Sequence, residues 1–315
     1  MIELKNVTKK YGLNTAVSNI SVKIDDGEIV GFLGPNGAGK STTMNMMTGY
    51  ISVTSGSIEI NGHDILKDAD QAKKLIGYLP ENPPLYVDMT VLEYLKFVYD
   101  LKNVKFDKNS HIEEIMSRTK ITNVKDRIIK YLSKGYKQRV GIAQALIGNP
   151  EVLILDEPTV GLDPNQIQDM RNLIRELGND RTVIISSHIL SEITSVCTKV
   201  LIINNGKLVI YDTIKNINEK LIDHSMYVVK ISGGKDFVME AFKEVTDIKS
   251  ISVEKTDERD VFVYTLTSDE DKDIRRQILD IVEKKHLSLL SFEIKELTLE
   301  DIFLKVTGKR KKGDK

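Results

Sequence analysis

The stretch that most constrains the fold is EIVGFLGPNGAGKSTTMNMM, residues 28–47. An apolar run enters a glycine-rich turn and leaves through a helix-forming segment. The turn, GPNGAGKST at 34–42, fits the pattern G-x-x-x-x-G-K-[ST], and the flanking strand and helix are the context that pattern requires. Gly34, Gly37 and Gly39 let backbone N–H groups close on phosphate oxygens with no Cβ in the way. The helix N-terminus adds partial positive charge. Lys40 is placed to reach β- and γ-phosphates, and Ser41 to ligate Mg²⁺. The alternative, a glycine-rich turn with a solvated lysine, does not account for a strand and a helix both in register.

A phosphate loop does not name a reaction. EVLILDEP, residues 151–158, narrows it. Four apolar residues bury a strand, and Asp156 and Glu157 emerge at its C-terminal end, where ligands collect in open α/β sheets. Two adjacent acids there cost desolvation unless a cation or substrate compensates. Asp156 suits Mg²⁺, and Glu157 suits polarising an attacking water. His188, in ISSHIL, ends another predicted strand. A lone histidine is more often structural, but a strand beside that of Asp156 would let it reach a γ-phosphate.

One further segment asks for an anion. In YLSKGYKQRVGIAQAL, residues 131–146, Ser133 sits at a helix N-cap position with Gly135 and lysines around the positive end. The segment by itself does not say where that anion comes from.

The remaining pattern sets the organisation. MIELKNV and NISVKI alternate as two early antiparallel strands, and SGSIEING reads as a hairpin strand. Residues 88–148 are mostly helical in period, while EVLILDE, RTVIISS and KVLIINN are buried strands separated by helical segments. Alternating strand and helix implies a parallel sheet covered on both faces. Beyond about residue 218 the order β-α-β-β-α-β suggests a small ferredoxin-like α+β domain over 219–308, ending in the helix LEDIFLKVT, with a frayed basic tail at 309–315. That second domain carries no phosphate loop or catalytic constellation and reads as a packing or regulatory module. A net charge of -1 gives no overall pull towards nucleic acid. The single cysteine, Cys197, excludes an intrachain disulfide and a Cys-cluster metal site and points to a reducing compartment. The first residues lack a signal-peptide layout, and no apolar stretch approaches the ~18 residues needed to span a bilayer.

These motifs, in this order, resemble the ATP-binding subunit of an ABC transporter over about residues 1–218. The resemblance implies an α/β P-loop NTPase core with an antiparallel β subdomain and a helical subdomain at 88–148. It implies ATP and Mg²⁺ as ligands. Nucleotide contacts fall on Tyr11 of KKYG, which would stack on adenine, and on Gly34, Asn36, Gly37, Ala38, Gly39, Lys40, Ser41 and Thr42. Glu157, His188 and Lys40 become the catalytic group, and Ser41, Glu81 and Asp156 the metal ligands. GLDP, at 161–164, matches the D-loop with Asp163 its key acid. The waiting anion also finds a source. In the family, the signature motif closes on the γ-phosphate of ATP held by a second subunit, so Ser133 and Gly135 would serve a neighbour's nucleotide.

Two departures stand out. The signature reads Leu132-Ser133-Lys134-Gly135-Tyr136, with lysine for the first glycine and tyrosine for the glutamine. Glu81 in IGYLPENPPLY replaces the Q-loop glutamine, adding charge near the γ-phosphate. GYLPE, the altered signature and LEDIFLKVTG look like the ABC-2-type export branch. The implied assembly is a homodimer around two MgATP, driving a separate transmembrane permease and held through it on the inner face of the cell membrane, with no nucleic acid involved. The alternatives are a soluble ABC-type ATPase and a nucleotide-dependent regulatory sensor. A guanine-reading Asn-Lys-x-Asp tetrad is absent from the sequence, which disfavours a GTPase.

Overall fold

Alternation in the first 24 residues produces two antiparallel strands, β1 (Ile2–Tyr11) and β2 (Asn14–Ile24), paired Ile2 to Ile24 and Leu4 to Val22. The computed structural model describes residues 1–217, 226–268 and 272–295. The chain divides into two compact units, Met1–Ile214 and Lys215–Lys315. In the first unit, β4 (Ser55–Ile60) pairs with β1 and with the short β5 (His63–Asp64), giving a sheet of order β2-β1-β4-β5. Its inward residues Ile2, Ile20 and Ile60 share one apolar core with Phe32, Met44, Ile154 and Leu201 of neighbouring elements.

The central sheet contains β3 (Ile29–Leu33), β6 (Ile76–Leu79), β7 (Val152–Leu155), β8 (Thr182–Ser186), β9 (Lys199–Asn204) and β10 (Lys207–Thr213), in the order β10-β9-β3-β8-β7-β6. Strands β9, β3, β8, β7 and β6 run parallel. Strand β10 is the exception, an antiparallel edge returned through Asn205-Gly206, both at positive φ. That is the two-residue turn whose twist matches a hairpin. All residues of β3, β7 and β8 are buried, as expected for strands covered on both faces. Leu153 of β7 is fully buried, so Leu153→Ala should cost about 2–5 kcal/mol of stability, read from a chemical denaturation midpoint at unchanged slope.

Helices α1 (Lys40–Met47) and α2 (Ala69–Lys74) precede the helical insertion of α3 (Val91–Leu101), α4 (Lys108–Arg118) and α5 (Lys134–Leu146). Helix α3 begins with a capping box: Glu93 N–H donates to Thr90 Oγ1 at 3.2 Å, and Thr90 N–H donates to Glu93 Oε2 at 2.8 Å. Helices α3 and α5 are tied twice. Tyr94 OH donates to Gln144 Oε1 at 2.6 Å, and Lys102 Nζ donates to the Ile147 carbonyl at 2.8 Å, just past the end of α5. The last contact places a cation on the negative helix end. Helices α6 (Pro164–Gly178) and α7 (Leu190–Val196) complete the unit.

The second unit runs β11 (Met226–Ser232), α8 (Lys235–Lys243), β12 (Ile248–Lys255), β13 (Val261–Ser268), α9 (Arg275–Lys284) and β14 (Ser288–Lys295). Its antiparallel sheet has the order β12-β13-β11-β14 over a core of Tyr227, Val229, Phe242, Tyr264 and Ile278. The helix expected in LEDIFLKVT and the basic tail lie outside the described residues.

Candidate functional site

Four of the parallel strands, β3, β8, β7 and β6, lie side by side, so their C-terminal ends share one edge of the sheet. The chain leaves that edge at Gly34, Ser187, Asp156 and Pro80 respectively. This topology alone brings the phosphate loop, His188, Glu157 and Glu81 together, although they are spread over more than 150 positions of sequence.

The phosphate loop is built as its glycines require. Gly39 caps α1 with φ 104, and a Cβ there would come within 2.7 Å of the Ala16 carbonyl, so both the conformation and the space demand glycine. No side chain caps this helix, which leaves its first N–H groups for a ligand. Lys40 is 8% exposed and donates from Nζ to the Gly34 carbonyl at 2.7 Å and the Pro35 carbonyl at 3.3 Å. Burial lowers its pKa, against the opposing pull of Glu157 and Asp156. An arriving polyphosphate would supply the anionic partner that desolvation leaves this ammonium needing.

Opposite the loop, Asp156 is buried and accepts from Ser186 Oγ at 2.5 Å. The same hydroxyl oxygen accepts from the Glu157 N–H at 2.8 Å. Ser186 therefore holds the peptide between the two acids where Glu157 adopts φ 49, a left-handed conformation that a glutamate takes at a cost of about 1 kcal/mol or more. The turn aims the Glu157 side chain back over the sheet edge, and its Oε2 lies 2.8 Å from His188 Nδ1. A cleft of about 430 Å³ is lined by Asn36, Gly37, Gly39, Lys40, Ser41 and Thr42 on one side and by Glu81, Glu157, Val160 and His188 on the other, with Ala16 at the margin.

The other predicted residues lie elsewhere. Gly34 and Ala38 support the loop from below: Ala38 is buried, and a Cβ on Gly34 would meet the Ile203 carbonyl at 2.5 Å. Tyr11 is half exposed, with Lys9 Nζ 5.2 Å from its ring centre. Asp163 caps α6, accepting from Gln166 N–H at 2.9 Å. Ser133 caps α5, accepting from Tyr136 N–H at 3.4 Å. With Gly135, Tyr136, Lys120, Arg139, Gln166 and Asp169 it lines a separate cavity of about 210 Å³. Ser133 and Gly135 thus do not line the cleft of their own phosphate loop. No acidic residue occupies the first turn of α5.

The model of the ABC transporter family matches residues 17–160. An uncharacterised ABC transporter ATP-binding protein of Bacillus subtilis, YhcH, is 33% identical over 314 residues, covering 99% of this chain and 97% of the relative. The chain belongs to the ABC transporter ATP-binding proteins. The bacitracin transport ATP-binding protein BcrA of Bacillus licheniformis is 34% identical over 98% of this chain and 97% of its own length. The linearmycin resistance ATP-binding protein LnrL of Bacillus subtilis is 31% identical over 98% of this chain and 99% of its own. Among solved structures, the dimeric bacterial ABC transporter cassette MJ0796 superposes with a TM-score of 0.62 at 26% identity, over 68% of this chain and 98% of that one. The same cassette is also known as a dimer in a post-hydrolysis state with ADP and phosphate, again 26% identical with a TM-score of 0.62.

For an ABC ATP-binding chain the donor set fits a magnesium ion brought in with nucleotide. Among the described residues no group of three or more histidine, cysteine or carboxylate side chains converges as a metal cage. Ser41 and Glu81 line the cleft and Asp156 lies buried just past the end of β7; a hydroxyl and two carboxylates are oxygen donors of the kind Mg²⁺ takes beside phosphate and water. Sequence reasoning missed Ser186, which positions both acids. It also missed Gln138, buried in α5, whose Nε2 donates to the Glu81 carbonyl at 3.5 Å. The adjacent Ser186-Ser187-His188 was the available signal for the first; nothing in the spacing marked the second.

Proposed function

We propose that two copies of this chain close head to tail on two MgATP and that the cycle of closure and hydrolysis drives a separate membrane permease in the direction of export. The observation that carries this reading is the division of the site. The loop, Glu81, Glu157 and His188 share one cleft, while the Ser133-capped helix head, ready for an anion, lines another. The bacitracin transport and linearmycin resistance relatives and the dimeric cassette support coupling to transport and pairing of two copies by what their names state, and the direction of export rests on the resemblance of GYLPE and the altered signature.

In this reading the loop N–H groups and Lys40 hold the β- and γ-phosphates. Glu157 orients the attacking water and draws on its proton. His188 stabilises charge developing on the transferred phosphoryl group. A neutral ring donating from Nδ1 to Glu157 presents a lone pair at Nε2; donating to Glu157 and to a phosphate oxygen together requires the imidazolium. Ser41, Asp156 and Glu81 would hold a magnesium ion, which when bound would supply positive charge against the phosphates. Ser133 and Gly135 complete the pocket of the second copy's nucleotide.

The permease surface we assign is the segment after β6. Tyr86 is half exposed and packs on Phe97 with ring centres 5.2 Å apart and on Tyr94 at 6.0 Å. Exposed Val87 and Ile128 extend the patch. No helix among the described residues is long and apolar enough to cross a membrane, so membrane attachment in this reading runs through that contact. A tagged chain should recover a polytopic membrane protein from detergent extracts, and Tyr86→Ala with Phe97→Ala should lose it while ATP binding stays within about twofold. Equal recovery by the double variant would remove the assignment. A nucleotide sensor without turnover is the competing reading; the Glu157–His188 pair speaks against it, and one phosphate-release assay on the purified chain decides.

A further inference from the structure

The cleft residues do not explain Glu192. This carboxylate, on the first turn of α7, is only 5% exposed. One of its oxygens, Oε2, accepts from Thr159 Oγ1 at 2.6 Å and from Ser187 Oγ at 2.9 Å. Thr159 and Ser187 are themselves buried. A buried carboxylate satisfied by hydroxyls is a costly choice where an apolar side chain would pack. Such departures from ordinary core composition concentrate where function requires a fixed geometry.

The two hydroxyls lie at informative places. Thr159 follows Glu157 by two residues, and Ser187 immediately precedes His188. Ser187 Oγ also accepts from the Ile189 N–H at 3.0 Å, so one hydroxyl braces the backbone on both sides of His188. Strands β7 and β8 are in register up to Leu155 and Ile185, and the ladder pairing does not extend to the two loops beyond them. Two clamps replace it. Ser186 bridges the loops at the strand ends through Asp156 and the Glu157 N–H, and Glu192 bridges them farther out through Thr159 and Ser187.

We propose that Glu192 is a positioning residue for hydrolysis: it fixes the loop bearing Glu157 against the loop bearing His188 and so sets their 2.8 Å contact. Glu192 itself does not line the cleft. The inference rests on the roles given above to Glu157 and His188. The phosphate loop and Lys40, which hold the phosphates in the ground state in this reading, are not members of the clamp, so its loss should fall mainly on kcat.

The test measures kcat and KM for MgATP hydrolysis by the full chain. Glu192→Met keeps length and removes the acceptor; kcat should fall on the order of 10-fold to 100-fold, the scale of a small misplacement of reacting groups. KM should stay within about twofold. Glu192→Gln, whose amide oxygen accepts both hydroxyls, should recover most of the lost rate. Thr159→Val removes one arm of the clamp, should lower kcat in the same direction, and stands in if Glu192→Met does not fold. Unchanged kcat in Glu192→Met, or in Thr159→Val where that variant stands in, overturns the proposal. So does a loss shared equally by kcat, KM and melting temperature that Glu192→Gln fails to restore, since that pattern describes a general weakening of the fold. An unmodified chain without any turnover would sink the ATPase reading itself; an active chain indifferent to Glu192 sinks only this one.

Discussion

Glu157→Gln is expected to bind ATP with near-normal affinity and to hydrolyse it about 10²–10⁴ times more slowly, the range for losing a positioned general base. The substitution is close to isosteric. The backbone at φ 49 is held by Ser186 and the sheet edge, neither of which depends on the charge of residue 157. The amide oxygen can still accept from His188 Nδ1, so the pair keeps its geometry while the basicity towards water is lost. Phosphate release and equilibrium nucleotide binding, measured on the same preparation, separate the two effects. Turnover within about threefold of the unmodified chain would mean that another group handles the water. Hydrolysis is the step that reopens the closed form in the proposed cycle, so this variant should also accumulate as a dimer in MgATP. Light scattering that finds it monomeric at saturation, alone and with its permease, would remove the two-copy reading.

The second large effect concerns the division of the site between copies. Lys40→Ala removes the buried ammonium that in the proposed site meets the β- and γ-phosphates, and hydrolysis should fall below detection. Gly135→Asp should be as damaging for a different reason. A Cβ at Gly135 would press on Gln166 Oε1 at 2.6 Å, the movable end of a flexible side chain, so the damage comes chiefly from the added carboxylate, which puts negative charge where the head of α5 would receive an anion in the proposed dimer. Each variant is expected to be inactive alone. Mixed, they form a heterodimer in which one site pairs an intact phosphate loop with an intact helix head, and the other site carries both lesions. Activity should therefore return on mixing. Return of activity fits a site built from two copies; its failure, with both variants folded and able to dimerise with the unmodified chain, would place the whole site within one.

Much of this is legible in the sequence because the chemistry imposes local rules. The phosphate loop needs glycine at fixed offsets, and the head of α5 needs a small polar cap, so GPNGAGKST and Ser133 carry their own signatures. β-branched buried runs such as VLIL and TVIIS, set off by helical segments on either side, are likewise readable. Strands β6 and β10, at the two edges of the sheet, are different. Strand β6 is IGYL, four residues without alternation, and its pairing with β7 comes from tertiary packing rather than propensity. Strand β10 breaks the otherwise parallel pattern, and its one local sign is the Asn205-Gly206 turn. The bridges through Ser186, Gln138 and Glu192 join residues 30, 57 and up to 33 positions apart. Such partners are chosen by the strand order, which no spacing rule encodes.

Helix α5 is 13 residues long, roughly 20 Å at the standard rise. One end carries Ser133; near the other, Tyr94 and Lys102 bolt it to α3, whose outer surface includes Phe97. Gln138 links its middle to the backbone at Glu81. In the proposed assembly, a push on the aromatic patch would be passed along these fastenings to the serine at the far tip, and seating of an anion at that tip would pull back on the patch.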